Sequence, residues 1–208
     1  PPAVRKGKGG AVSRRVETEP HACFPPSRPR SLTSMKIADR YSYRHARSIL
    51  EAEYPSELLD VEVILEGVDF VKQQKVISRS RGGRVVATKS LSAPKTNALI
   101  YGALKKKGWS VTPRIISKSE SRLVADAKKG KIQLEVQFGN MARWYTDVFK
   151  FLLSYSADDI EVGILVVPTQ ATAKKIDENV AYYERVVREL PHAKMGITIP
   201  ILVIGISD

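Results

Sequence analysis

Two acidic residues nine positions apart, Asp126 and Glu135, lie in a segment whose pattern predicts a β-hairpin. After the glycine at 130, apolar and polar side chains alternate strictly, which is typical of a strand with two different faces. Gly130-Lys131 suits a two-residue type II′ turn, because that turn favours glycine at its first position. The register that this turn imposes puts Asp126 directly opposite Glu135 on the polar face, and the apolar residues of both strands share the other face.

Opposed carboxylates in a hairpin have Cβ atoms about 5 Å apart and repel each other. The arrangement becomes favourable if a divalent cation lies between them, and hard oxygen ligands on a rigid hairpin suit Mg²⁺. The backbone carbonyl of Val136 would add a ligand, and Gln137 on the same face would orient an attacking water. The alternative is a solvated polar face on an edge hairpin, with Asp126 and Glu135 simply exposed.

The elements around this hairpin alternate between helix and strand, which predicts an α/β fold with helices on both sides of a mixed sheet. Ser92-Ala93-Pro94 is typical of a helix start, with a cap followed by proline in the first turn. Helices are predicted over 42–53, 92–107, 141–154 and 175–189, and strands over 109–116, 122–128, 132–138, 160–167 and 198–206. Residues 61–65 fit either a strand or a buried turn of helix, and 72–89 is predicted to be a loop.

The predicted loop is rich in basic residues, among them Arg79, Arg81 and Arg84. Such a segment could form a phosphate-binding rim, although a run of charge is also what a solvated surface looks like. The whole chain of 208 residues carries a formal charge of +12, and this sign favours a polyanionic partner.

The composition excludes several classes of protein. No stretch approaches the roughly 18 apolar residues of a membrane helix. A single cysteine excludes an internal disulfide framework, and the three histidines are scattered without metal-ligand spacing. We therefore expect a cytoplasmic protein with no membrane association.

The first 34 residues differ from the rest. They hold six of the twelve prolines and show no apolar period, and their seven basic and two acidic residues give a net charge of +5. Such a composition does not fold alone. We interpret 1–34 as a disordered basic extension, upstream of a native start at Met35, with a nucleic-acid arm or a targeting peptide as alternatives. Residues 35–208 are then one domain.

Asp126, the triplet Glu135-Val136-Gln137 and the following Phe138-Gly139 resemble the active site of type II restriction endonucleases of the BglII and BstYI group. These belong to the PD-(D/E)xK nuclease superfamily, with glutamine in the usual lysine position. Lys107-Gly108-Trp109 and the closing segment 200–206 also match in order and spacing. The proline that usually precedes the first acid is replaced by Ala125.

The resemblance implies a restriction-endonuclease-like fold in which Asp126 and Glu135 bind the metal and Gln137 takes the lysine position. It implies base contacts by Asn140 and Asn179, although Asn140 would also suit a helix cap and a polar first turn would look like Asn179. The implied activity is Mg²⁺-dependent hydrolysis of double-stranded DNA by a homodimer at a palindromic site centred on GATC. A cognate DNA methyltransferase would act on the same site without a stable complex.

A non-cleaving or structure-selective DNA-binding protein on the same fold is the alternative from another class. The acid pair argues against it, because a protein that only binds DNA gains nothing from two opposed carboxylates.

Overall fold

The computed structural model describes residues 33–78, 85–116 and 122–208. Its strands are β1 (Thr33–Ser34), β2 (Lys36–Tyr43), β3 (Asp69–Phe70), β4 (Lys72–Ser78), β5 (Val85–Leu91), β6 (Ser110–Val111), β7 (Ala127–Lys129), β8 (Ile132–Val136), β9 (Val162–Pro168) and β10 (Ile201–Ser207). Its helices are α1 (Ala46–Glu53), α2 (Pro55–Gly67), α3 (Ala93–Lys106), α4 (Arg143–Ser156), α5 (Gln170–Ile176) and α6 (Tyr183–Glu189), followed by a 3₁₀ turn at Leu190–Ala193.

Six strands form a mixed sheet in the order β2-β10-β9-β8-β7-β6. The three central strands β10, β9 and β8 run parallel, and β2, β7 and β6 add antiparallel pairs at the two sides. Every residue of β8 and β9 is buried. Their near-continuous apolar sequences are explained by cover on both faces of the sheet.

The pleat of the sheet divides the interior into two cores. Ile164 and Val166 of β9 belong to a core that includes residues of α1, α2, α3 and α5. Leu165 and Val167 belong to a second core on the opposite face, with residues of α4 and α6. This confirms the expected α/β architecture, a mixed sheet between helices.

Helix α4 lies very close to the sheet because Gly163 has no side chain. A Cβ atom at this position would come within 2.9 Å of the Phe151 ring on α4. Phe151 itself is fully buried. The glycine thus sets the height of α4 above β9.

Two of the predicted elements are wrong. Residues 72–89 were expected to form a loop, but β4 and β5 pair antiparallel from Lys72–Leu91 to Ser78–Val85. The valines and the isoleucine of this segment favour strands, but the many lysine, glutamine and arginine residues between them led to the prediction of a loop. The helix expected over 175–189 is interrupted, because α5 ends at Ile176 and α6 begins at Tyr183.

Other bounds differ less. The chain over 42–53 contributes its first two residues to β2, and 61–65 lies within α2 and is therefore helical. Strands β6 and β7 are shorter than expected. Thr33 and Ser34 pair with β3, so the ordered domain includes two residues of the segment that we assigned to the extension.

Candidate active site

The β7–β8 hairpin has the register expected from its turn. Ala127 pairs with Leu134, Lys128 with Gln133 and Lys129 with Ile132. Gly130 has a φ of +54°, whereas Lys131 is not among the positive-φ residues. A type II′ turn requires a positive φ only at its first central residue, so the backbone agrees with the predicted turn.

Beyond Ala127 the ladder ends, and Asp126 contacts β8 through its side chain. Its Oδ2 accepts a hydrogen bond of 2.7 Å from the backbone N–H of Val136. Its backbone carbonyl accepts one of 3.0 Å from Thr112. The N–H and C=O of a strand residue point to the same edge, so the carbonyl of Val136 faces the side where Asp126 lies.

Glu135 is fully buried on the face of β8 that α4 covers. Its Oε1 accepts a hydrogen bond of 2.8 Å from Gln133 Nε2, and its Oε2 contacts the ammonium group of Lys150. The expected alternative of an exposed acid pair is therefore wrong for Glu135, which water does not reach in this structure.

Gln137 is also buried and joins β8 to α4. Its Nε2 donates to Asp147 Oδ2 at 2.5 Å, and its Oε1 accepts from the backbone N–H of Gly139 at 2.9 Å. Asp147 Oδ1 in turn lies 2.9 Å from Lys150 Nζ. One hydrogen-bonded network thus runs from Gln133 through Glu135, Lys150, Asp147 and Gln137 to the backbone of residue 139.

Burial and like charge shift the proton affinities of this network. Burial raises the pKa of Glu135 to about 8; Lys150 opposes the rise, and Asp126 and Asp147 add to it. Burial raises the pKa of Asp147 too, against the ammonium of Lys150 and the amide of Gln137. Burial lowers the pKa of Lys150, but the two carboxylates outweigh it and the net shift is upward.

Tyr101 of α3 faces the same charges from the other side. Burial raises the pKa of its hydroxyl, and the charge of Asp126 and a hydrogen bond to that carboxylate raise it further. The tyrosine therefore remains protonated and acts as a donor to Asp126.

A cavity of about 660 Å³ lies between α3 and α4. Its polar lining includes Tyr101, Asp126, Gln137, Asp147 and Lys150, whereas Glu135 does not line it. A second cavity, of about 610 Å³, contains Asn140 and Asn179 in its lining. Both cavities share Ala93, Pro94, Phe138 and Gly139, so they adjoin along one side of the domain.

Asn140 and Asn179 are brought together although they are 39 positions apart in the sequence. Asn140 forms a β-bridge with Val180, and the carbonyl of Asn179 accepts a hydrogen bond of 2.9 Å from Met141. The side-chain oxygen of Asn140 accepts from Ala142 at the start of α4, which is a cap-like contact. Both asparagines are exposed. Arg79, Arg81 and Arg84 lie outside the described residues.

The sequence did not point to Asp147, Lys150 or Tyr101. The sequence predicted a helix over 141–154 but did not indicate which face is buried. Tyr145 and Phe149 are exposed, whereas Asp147 is only 6 % exposed. A charged pair at i and i+3 within the stripe of Trp144, Val148 and Phe151 is the signal that could have identified them.

The donor set fits a hard divalent cation better than a transition metal. Within the described ranges, no group of three or more His, Cys, Asp and Glu side chains is arranged to hold a metal. The site instead offers two carboxylates, of Asp126 and Glu135, and the carbonyl of Val136. With Asp147 the cluster holds three carboxyl groups against one ammonium, and a divalent cation would balance this excess.

In the described part of the chain no helix is long and apolar enough to cross a membrane.

Comparisons with known proteins agree with this geometry. The family described as restriction endonuclease BglII/BglIII matches residues 38–206. The crystal structure of restriction endonuclease BglII complexed with a DNA 16-mer is similar with a TM-score of 0.68 and 20 % identity, covering 80 % of this chain and 74 % of that chain. Free BglII gives a TM-score of 0.58 and 20 % identity, with 82 % and 79 % covered. None of the curated proteins matches. The chain belongs to the BglII/BglIII family of restriction endonucleases.

Proposed function

We propose that this restriction endonuclease is a Mg²⁺-dependent type II enzyme that hydrolyses phosphodiester bonds in double-stranded DNA at a palindromic site centred on GATC. The observation that carries the proposal is the position of Asp126 and Gln137 on the wall of one cavity, with the buried Glu135 in contact with Lys150 of the same wall. Membership of the family supports site-specific DNA cleavage, and the choice of Mg²⁺ rests on the oxygen donors.

In the proposed mechanism Asp126, Glu135 and the Val136 carbonyl would hold the ion. When bound, Mg²⁺ lowers the pKa of water and stabilises negative charge on the phosphate. Gln137 is fixed at both ends of its amide, so it can present a defined polar edge to the attacking water or to the phosphate. The water gives up a proton to solvent as its oxygen adds to phosphorus in line with the leaving oxygen. The opposite P–O bond breaks, and the leaving oxygen takes up a proton from solvent to become a hydroxyl.

Sequence recognition is proposed to come from the second cavity. Asparagine side chains pair well with adenine edges in the major groove, and Asn140 and Asn179 project from adjacent segments beside the cleavage site. Arg79, Arg81 and Arg84 follow β4 in the sequence, and we propose that they contact phosphates, which would add affinity and no base specificity.

A palindromic site calls for a two-fold symmetric enzyme, so we propose a homodimer. Tyr145 and Phe149, one turn apart on α4, are about half exposed, at 48 % and 53 %. They offer apolar surface on the side of the helix that faces away from the sheet. A cognate methyltransferase would protect the same site without forming a stable complex.

The test is a cleavage assay on unmethylated plasmid DNA with Mg²⁺, followed by sequencing of the ends. We expect discrete fragments whose ends map to sites that contain GATC, and no cleavage in EDTA. Glu66→Ala, an exposed acid on α2, is the matched control and should cut like the parent protein. Binding of plasmid without cleavage in either Mg²⁺ or Mn²⁺ would favour the DNA-binding alternative.

A further inference from the structure

Lys150 is the cation of the catalytic network. It lies on α4, its side chain is 12 % exposed, and its Nζ contacts Glu135 Oε2 and lies 2.9 Å from Asp147 Oδ1. It also lines the cavity that contains Asp126 and Gln137. Arg143 lines that cavity as well, but it is exposed, and the structure gives it no ion pair among the described residues.

The burial of this ion pair distinguishes it from the surface pairs of the domain. Arg47 and Glu51, at the same kind of helical spacing, are both about half exposed. An exposed pair contributes little to stability, whereas a buried pair must overcome the desolvation of both ions. The contacts of the buried Lys150 ammonium with two carboxyl groups are therefore not explained by a contribution to stability alone.

The position of Lys150 matters because Gln137 cannot supply a positive charge. An amide in the lysine position of the motif can donate a hydrogen bond but cannot neutralise a phosphate oxygen. Lys150 reaches the same cavity wall from a different element, and Asp147 contacts both Gln137 and Lys150. The positive charge that Gln137 does not provide is thus supplied by Lys150 on α4.

We infer that Lys150 is a further active-site residue, which holds Glu135 and Asp147 in the cation-free protein. Glu135 must release it to bind a divalent ion. Lys150 then stays on Asp147 and directs its charge at the scissile phosphate. The inference rests on the proposed function, since it takes Asp126 and Glu135 as the ligands of the ion.

Removal of the ammonium should have opposite effects on two measurements. Without a competing cation, the ionised carboxylates should bind Ca²⁺ at least about fivefold more tightly. Because the ammonium also helps to keep Glu135 ionised, isothermal titration without DNA is run at several pH values from 8.5 upward, and the affinities are compared where they no longer change with pH. Without the positive charge of Lys150 beside the scissile phosphate, single-turnover cleavage in saturating Mg²⁺ should slow by about 100-fold or more. If Lys150 had a merely structural role, its substitution would lower both the calcium affinity and the cleavage rate, because a distorted site binds calcium less well.

The variants are Lys150→Met, which keeps the length of the side chain, and Lys150→Gln, which keeps a donor for the carboxylates. Either one is sufficient if the other fails to fold, as judged by circular dichroism. Lys174→Met, an exposed lysine of α5, is the matched control and should change neither measurement. Calcium binding that is unchanged or weaker, or cleavage within about threefold of the parent rate, would overturn the inference.

Asp126→Asn and Glu135→Gln separate this inference from the proposed function. If they bind Ca²⁺ like the parent protein, the proposed ligands are wrong. If they lose Ca²⁺ while the Lys150 variants behave like the parent, the proposed function stands and the role of Lys150 is refuted.

Discussion

Gln137 Nε2 lies 2.5 Å from Asp147 Oδ2, so the residue that we propose for the lysine position of the motif is bound to α4, a helix that the motif does not include. Gln137 is 6 % exposed and Asp147 is equally buried. Asp147 also binds Lys150, and Lys150 contacts Glu135. Strand β8, the residues that follow it and α4 therefore behave as one unit, in which a change at one polar side chain removes a partner from another.

Gln137→Ala is expected to slow cleavage and also to lower the free energy of unfolding by about 1–3 kcal/mol, because it leaves Asp147 Oδ2 and the N–H of Gly139 without partners. Gln133→Ala removes a buried hydrogen bond of the same network outside the cavity lining, and it serves as the control for stability. Urea denaturation and single-turnover cleavage measure the two effects. Equal slowing in both variants would show that Gln137 has no direct part in the chemistry.

Asp126→Ala and Glu135→Ala are expected to abolish cleavage and to leave DNA affinity within about tenfold of the parent value, because neither side chain is proposed to read bases. Electrophoretic mobility shifts in Ca²⁺ and plasmid cleavage in Mg²⁺ provide the two readouts. Cleavage near the parent rate by either variant would remove it from the proposed metal site.

The pKa of Glu135 predicts a pH-dependent stability in the absence of metal. The pKa of Glu135 is about 8 in the folded protein and has the ordinary value of 4.5 in the unfolded chain. Between these two pH values the folded protein therefore keeps a proton that the unfolded chain has released. This contribution is fully present below about pH 4.5 and is lost as the pH rises through 8. In EDTA, the melting temperature of Glu135→Gln should thus fall less between pH 6 and 8.5 than that of the parent. Parallel curves would contradict the shifted pKa.

Gly130→Ala tests the hairpin turn without touching the site. No heavy atom lies within 4 Å of the added Cβ, so the cost comes from the φ of +54° and should be about 1 kcal/mol. Gly102→Ala, inside α3 and equally open, should instead stabilise the protein by about 0.8–1 kcal/mol. Thermal denaturation of both variants checks the opposite signs, and a neutral Gly130→Ala would argue against the turn.

Deletion of residues 1–32 is expected to leave folding, specificity and cleavage intact, because their composition does not support a core. A deletion that continues through Met35 should lower stability by about 2–5 kcal/mol, since Met35 is 1 % exposed. Denaturation curves and cleavage patterns of the two proteins provide the comparison. Weaker nonspecific binding by the shorter deletion would be consistent with the loss of a +5 segment, whereas loss of specific cleavage would not.

The parts of the fold that the sequence predicted correctly depend on local chemistry. Gly130 selects the turn, the turn selects the register, and the alternation in β8 agrees with it. Helix α3 was predicted within one residue at each end, with Ser92 and Pro94 as the signals for its start. In each case the determining residues are neighbours in the chain.

The parts that were missed depend on distant contacts. The pairing of β4 with β5 joins residues up to 19 positions apart, and their polar sequences resemble a surface loop. Asp147 and Lys150 look like an ordinary helical ion pair until α4 is placed over β8. The break between α5 and α6 follows from the bridge of Val180 to Asn140, which no local signal in 175–189 indicates.

Gly163 has no functional group, yet the short distance between α4 and β9 that it permits determines where α4 places its residues of the proposed active site. A methyl group there would push the Phe151 ring, and with it the adjacent Lys150, away from Glu135. A homologue could then keep every acid of the motif and still be inactive. Assignments of activity among distant relatives should therefore consider this spacer position together with the charged residues, and an enzyme engineer should leave it unchanged.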